Sequence, residues 1–275
     1  MLLNTMEPLR EKAERLRATV RSLGSAAVAF SGGTDSALVA KVAHEELGDK
    51  ALAVTVASPV YPRTELDRAR KVAKAIGIRH VVIELNPLLE GRFVANKPDR
   101  CFICKLGDMR AIRDLADRYG MIAVVDGTNA DDLADFRPGL KATQQMRVRS
   151  PLAEARMSKN DVRRLSASMR LPTAKKPSSP CLASRIPYGE PITDEKLRMI
   201  EIAEDLLVSK GFDQVRVRFH GDTARIEVDP AQVQRLSSPR TRKAVVKELK
   251  RLGFSYVSLD LEGYRSGSLN EVLGR

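Results

Sequence analysis

The chain has 275 residues, of which 43% are apolar and 30% charged, enough for one large folded domain or two smaller ones. No apolar run approaches the ~20 residues that a bilayer span needs. The net charge of +12 points to anionic partners (nucleotides, phosphorylated metabolites or RNA), with a merely basic surface as the plain alternative.

Met1–Val20 spaces its apolar residues as an amphipathic charged helix does. It lacks the apolar core and small-residue cleavage site of a signal peptide, so a cytoplasmic location is expected. Ala26–Phe30 is a short apolar run that reads as a buried strand ending in a Gly-Gly turn, and helix-compatible sequence follows from Asp35 to about Leu47. Lys50–Ser58, rich in Val and Ala, predicts a second buried strand. A helix with Thr64 as N-cap and Gly77 just past its end comes next, then a third strand at Arg79–Leu85. Another helix is expected from about Lys105 to Tyr119, and a fourth strand from Met121 runs into a polar turn. Strands alternating with helices of roughly 10–15 residues predict an α/β fold: a doubly wound parallel sheet with helices on both faces.

Leu171–Ile192 carries five prolines and cannot be regular structure. This places a junction at 176–192 between a first domain, 1–175, and a second, 193–275. The second opens with a helix capped by Thr193 and stopped by Gly211, followed by a β-hairpin around His220-Gly221-Asp222. A mostly helical stretch and a final strand from Tyr256 complete an αββαβ order, that of a small α+β domain.

The strand–turn–helix at Ser31-Gly32-Gly33-Thr34-Asp35-Ser36 carries the first chemical signal. Glycines let a phosphate approach the main chain, and the helix N-terminus adds a favourable field for an anion. Ser31, Thr34 and Ser36 supply hydroxyls. Asp35 suits such a cradle when Mg²⁺ bridges it to the phosphates. The pattern is not the Walker loop, since Gly-x-x-x-x-Gly-Lys-Ser/Thr is absent. A second signal is Gly127-Thr128-Asn129 at the end of the fourth strand, where ligands bind in open α/β sheets. Asp131 and Asp132 could hold Mg²⁺ through water and Arg137 could steady a pyrophosphate; a solvated acidic loop is the alternative.

The hexapeptide after a buried strand resembles the pyrophosphatase loop of the ATP-pyrophosphatase (PP-loop) superfamily, which includes synthetases for GMP, NAD and asparagine and several tRNA thiolases. The resemblance implies that ATP is cleaved between its α and β phosphates and that AMP passes to an oxygen.

Cys101, Cys104 and Cys181 are the only cysteines, and an odd number is not a disulfide framework. C-x-x-C alone suits a redox pair, half a zinc site or a structural pair. Three thiolates can also hold a [4Fe–4S] cube at three irons with the fourth open. A Cys₃ zinc site and isolated thiols stay open as alternatives. Lys105 beside Cys104, and Arg185 near Cys181, could lower thiolate pKa values or hold phosphate.

The joint presence of S-G-G-T-D-S, R-C-F-I-C-K, G-T-N-A-D-D, P-C-L-A-S-R-I-P-Y-G and L-D-L-E-G-Y-R-S-G-S-L-N-E resembles the LarE family along nearly the whole chain. LarE proteins are sulfur transferases that serve the nickel-pincer nucleotide cofactor of lactate racemase. The resemblance implies ATP and Mg²⁺ as cofactors, a sulfide source, and a homo-oligomer that is a hexamer in known cases. It also implies a pyridinium biscarboxylate mononucleotide as substrate, whose carboxylates become thiocarboxylates. One type in the family sacrifices the sulfur of its own cysteine, matched here by Cys181. The other holds a [4Fe–4S] cluster on three cysteines, which the presence of Cys101 and Cys104 favours here. The period-two alternation of Val215–Phe219 puts Arg216 and Arg218 on one strand face. In the family the corresponding arginines, with a serine matched by Ser184, help bind the substrate phosphate. Glu204 could orient one of these arginines.

The rival within the superfamily is a tRNA thiolase, which would use the same ATP chemistry and the basic charge. With no Trp and 4% aromatics, stacking platforms for bases are scarce, so no stable nucleic-acid partner is expected. A non-catalytic iron–sulfur or sulfide carrier and an amide synthetase are further alternatives. His44, His80 and His220 stand in no metal or triad spacing.

Overall fold

The computed structural model describes residues 8–134, 138–176, 179–265 and 267–273. In chain order the elements are α1 (Leu9–Arg21), β1 (Ala26–Ala29), α2 (Thr34–Leu47), β2 (Ala51–Ala57), α3 (Arg63–Ile76), β3 (Arg79–Glu84) and α4 (Gly91–Val94). They continue with α5 (Arg100–Arg118), β4 (Ala123–Val125), α6 (Ala130–Ala134), α7 (Pro138–Gln145), α8 (Pro151–Glu154) and α9 (Lys159–Ser168). The last are α10 (Asp194–Ser209), β5 (Val215–His220), β6 (Thr223–Val228), α11 (Val233–Ser237), α12 (Pro239–Arg251) and β7 (Tyr256–Leu259). The chain divides into two compact units. The first comprises residues up to Ser58, Arg63–Pro87 and Asp99–Ser179; the second comprises Pro59–Pro62, Leu88–Pro98 and everything from Pro180 onward.

The first unit is built on a parallel sheet of order β3-β2-β1-β4. Its short strands are apolar on both faces because both are covered. Ala26, Val28, Ala53 and Val125 pack with Leu16 and Val20 of α1, Leu38 of α2, and Val72 and Ile76 of α3. Ala27, Leu52, Val54 and Val124 pack against Met109, Ile112 and Leu115 of α5. This is the expected doubly wound arrangement. The chain runs outward from β1 through β2 to β3, then returns to β4 on the other side of β1. The carboxyl ends of β1 and β4 therefore flank the topological switch point, the place where such sheets bind ligands.

Two helix starts differ from expectation. α5 begins at Arg100 behind the N-cap position Asp99, so both Cys101 and Cys104 lie on its first turns. α3 begins at Arg63, which puts Thr64 inside the helix. No helix among the described residues is long and apolar enough to cross a membrane.

The second unit holds the expected αββαβ order. β5 and β6 form the hairpin, with Val215 opposite Val228 and His220 opposite Thr223. Gly221, at φ +60°, supplies the left-handed residue of the tight turn between them. β7 adds parallel to β6 after the crossover through α12. Asn96 ties the early segment into this unit. It is fully buried, and its side-chain amide donates to the carbonyls of Pro187 (2.7 Å) and Glu190 (2.8 Å).

Candidate active site

The phosphate loop leaves β1 at Phe30, whose N–H donates to Val54 O at 2.8 Å. Gly32 has φ +65°, and a Cβ there would stand 2.7 Å from Ala69 Cα, so this position excludes other residues twice over. The Ser31 and Ser36 hydroxyls lie 3.0 Å apart and brace the turn, with Gly33 N–H donating to Ser31 Oγ at 3.3 Å. The first bond of α2 runs from Ala37 N–H to Gly33 O, leaving the amides of Thr34, Asp35 and Ser36 ahead of the helical ladder. Amides at a helix start, together with the helix dipole, favour an anion. The Thr34 side chain does not serve there as expected: it is buried, and its hydroxyl donates to Thr173 O at 2.7 Å.

The turn after β4 meets this loop. A Cβ on Gly127 would lie 2.8 Å from Ser36 N, so glycine here is the condition for the two turns to touch. Buried Asp126 accepts from Thr128 N (3.1 Å), Thr128 Oγ1 (2.8 Å) and Ser150 Oγ (2.8 Å), which fixes the turn. Asn129 Nδ2 donates to Asp35 Oδ1 at 3.2 Å, and Asp35 Oδ2 forms an ion pair with Lys159. Asp131 and Asp132, expected as magnesium carriers, have other partners. Asn129 and Asp132 exchange hydrogen bonds as a capping box at the start of α6, and Asp131 Oδ2 accepts from Lys159 N–H at 2.8 Å. Asp35 is thus the carboxylate at the loop. Magnesium commonly takes one or two carboxylates plus phosphate oxygens, so Asp35 with bound phosphates fits it. Arg137 lies outside the described residues. Sequence reasoning missed Lys159. The Ser158-x-x-Asp161 capping box marks the helix that carries it, but nothing local names Asp35 as its partner.

Cys101 and Cys104 stand one helical turn apart on α5, the first exposed and the second half-buried. Lys105 beside them is half-buried, with Gly139 packed near its stem. Cys181 belongs to the second unit. Among the described residues no three His, Cys, Asp or Glu side chains gather to hold a metal ion. The helical pair alone supplies two of the three thiolates an open cube needs.

Around Cys181 the polar groups are committed to one another. Arg185, only 2% exposed, forms a bidentate pair with Glu204 at 2.9 and 2.7 Å. Its third nitrogen donates to the carbonyls of Pro180 (2.8 Å) and Cys181 (3.0 Å) and to Ser184 Oγ (3.0 Å). Ser184 Oγ donates in turn to Cys181 O at 2.7 Å. Arg218 is likewise buried, bidentate to Glu227 (2.9 and 2.8 Å) and bonded to Ser184 O at 2.9 Å. Of the four groups expected on a substrate phosphate, three therefore hold the Cys181 loop. Glu204 pairs with Arg185 rather than with a strand arginine, and also accepts from Val217 N–H.

Arg216 is different. Its guanidinium lies over the Tyr264 ring at 5.1 Å and donates to Val215 O, with no carboxylate in ion-pair range among the described residues. Burial first, then the Arg185 charge, lower its pKa from the ordinary arginine value. Arginine keeps its proton even so, and a bound anion would relieve both penalties. Among the described residues of this group, Arg216 is the cation without an ion-pair partner.

The chain is similar along much of its length to several known proteins. The NAD synthase family profile matches residues 9–111. The chain is 44% identical over 265 residues to protein slr1717 of Synechocystis, covering 96% of this chain and 99% of that one. It is 39% identical over 269 residues to the pyridinium-3,5-bisthiocarboxylic acid mononucleotide synthase of Lactiplantibacillus plantarum (98% and 97% covered). A glutamine-hydrolysing GMP synthase component of Methanococcus maripaludis is 28% identical over 227 residues (76% and 71% covered).

Proposed function

The chain belongs to the family of the L. plantarum pyridinium-3,5-bisthiocarboxylic acid mononucleotide synthase, within the PP-loop ATP-pyrophosphatases, and on that premise we propose that it is an ATP-dependent sulfur transferase acting on a pyridinium biscarboxylate mononucleotide. The observation that carries the reading is the phosphate loop, with Asp35 and Asn129 bonded across the switch point.

A carboxylate lacks a usable leaving group. Attack of its oxygen on the α-phosphorus of ATP releases pyrophosphate and leaves an acyl-adenylate, whose AMP departs readily. The amides of Thr34, Asp35 and Ser36 stabilise the charge on the phosphates, and Mg²⁺ at Asp35 would neutralise the departing pyrophosphate. Arg216 holds the substrate's own phosphate. A sulfur nucleophile then attacks the activated carbonyl, and AMP leaves with one oxygen of the original carboxylate. When the Cys181 thiol is that nucleophile, loss of its Cα proton and cleavage of Cβ–Sγ yield the thiocarboxylate and a dehydroalanine. Arg185 and Ser184 position the backbone that carries this thiol.

A second reading is favoured by the placement of Cys101 and Cys104 on one helix face. In it all three cysteines hold a [4Fe–4S] cluster, which would supply sulfide in place of the Cys181 sulfur. Anaerobic purification, iron analysis and mass spectrometry before and after turnover separate the two. Loss of one H₂S from Cys181 with no iron means sacrifice. An unchanged mass with stoichiometric iron means a cluster. Failure to release AMP and pyrophosphate with this substrate overturns both.

A further inference from the structure

The last segment of the first unit before the Cys181 loop, Leu171–Lys176, is bonded to the phosphate loop at two points. Thr173 O accepts the Thr34 hydroxyl, and Lys176 Nζ donates to Gly32 O at 3.4 Å. The Lys176 side chain is 11% exposed, and its ammonium also pairs with Glu65 of α3. Glu65 already binds Arg68 at 2.6 Å, so two cations share one carboxylate beside the loop. At Asp35, by contrast, one lysine meets one acid. Glu65 thus carries one negative charge against two cations, one of which, Lys176, also reaches the backbone of the phosphate loop. Burial, the largest influence, lowers the Lys176 pKa, and the Glu65 bond only partly opposes it. Thr173 adds an unused donor: its hydroxyl is buried and has no hydrogen-bond partner among the described residues.

We propose that Lys176 is a phosphate-reading residue, held by Glu65 until the phosphates of ATP enter the loop at Gly32 and draw its ammonium onto their oxygens. The inference rests on the reading that this loop binds ATP. Glu65 then acts as a competing acceptor, and lysine and acid have opposite effects on nucleotide affinity. A purely structural ion pair makes the other prediction, that removing either partner does the same harm.

The test is direct binding of α,β-methylene-ATP and of adenosine to the full chain, by titration calorimetry, for wild type, Lys176→Gln, Lys176→Arg and Glu65→Gln. Lys176→Gln is expected to weaken the ATP analogue by about ten- to a hundredfold, the loss of one charged hydrogen bond to phosphate, and to leave adenosine unchanged. Lys176→Arg restores part of the loss. Glu65→Gln binds the analogue at least as tightly as wild type. Equal weakening by Lys176→Gln and Glu65→Gln, with unaltered wild-type binding, overturns the inference alone. A wild-type chain that binds no analogue overturns the nucleotide reading itself. Should Lys176→Gln fail to fold, Glu65→Gln and Lys176→Arg still decide, since weakened analogue binding in Glu65→Gln contradicts the competition.

Discussion

Glu204→Gln separates the two halves of the proposed reaction. Glu204 accepts three hydrogen bonds, two from Arg185 and one from Val217 N–H, and it neutralises a guanidinium that is 2% exposed. Glutamine keeps the shape and two acceptor contacts at most, but turns an NH₂ toward Arg185 and removes the countercharge. Breaking a buried pair from one side costs about 3–5 kcal/mol, and the retained contacts put this variant near the lower end, about 3 kcal/mol. Domains have roughly 5–15 kcal/mol of net stability, so the variant folds but unfolds at lower urea. The same change loosens the arginine that holds the carbonyls of Pro180 and Cys181. A reacting group displaced by ~1 Å can lose about a hundredfold in rate. The expectation is that substrate-dependent ATP–pyrophosphate exchange stays within a few-fold of wild type while thiocarboxylate formation falls about a hundredfold. Urea unfolding that shifts by under about 1 kcal/mol, well below the loss set for a buried pair, would refute the clamp. So would pyrophosphate exchange that falls in parallel with sulfur transfer.

Gly32→Ala should abolish ATP binding while leaving the far-ultraviolet circular dichroism intact. The left-handed backbone costs about 1–2 kcal/mol, and the new Cβ also meets the α3 backbone 2.7 Å away. Normal analogue binding by this variant would contradict the loop geometry. Arg216→Met should raise the KM for the phosphorylated substrate about tenfold or more with little change in kcat, and leave a dephosphorylated analogue unaffected, in steady-state kinetics. On the acid side, helix α1 should loosen first. Arg17 and then Arg21 hold Glu46 below the usual carboxylate range; burial opposes this at Asp161, but the Lys12 and Ser158 bonds outweigh it. Depressed folded-state values mean that the stabilisation is complete above the ordinary carboxylate range of about 4 and disappears as pH falls through the lowered values. Hydrogen exchange in α1 should therefore rise steeply below pH ~4, and Asp161→Asn should weaken α1 already at neutral pH.

The sheet and its loop are legible because their signals are local. Apolar runs bounded by turns mark β1 to β4, and Gly32-Gly33 marks the one geometry that lets β1 feed α2 so abruptly. The start of α5 also has a local sign, the Pro98-Asp99 pair ahead of it, yet a first turn dominated by cysteines and Phe102 moves the expected start to Lys105. What stays hidden depends on partners far along the chain. Strand alternation puts Arg216 and Arg218 on one face, but only the hairpin register shows Glu227 beside them, and only the folded hairpin shows which arginine it takes. Arg185 looks like a phosphate ligand until Glu204 on α10 is seen to neutralise it. Asp132 looks like a metal carrier until the turn of α6 claims it. Lys159 and Lys176 carry no motif at all, because their partners Asp35 and Glu65 reach them only through the fold. Nor does any local feature assign Pro59–Pro62 and Leu88–Pro98 to the second unit.

The most direct measurement follows oxygen. A pyridinium biscarboxylate mononucleotide labelled with ¹⁸O in its carboxylates is turned over with ATP under anaerobic conditions, and the released AMP is weighed by mass spectrometry. Adenylation at the phosphate loop predicts one ¹⁸O in AMP for each thiocarboxylate formed, with pyrophosphate unlabelled. Release of ADP and labelled orthophosphate, or of AMP without label, would contradict it.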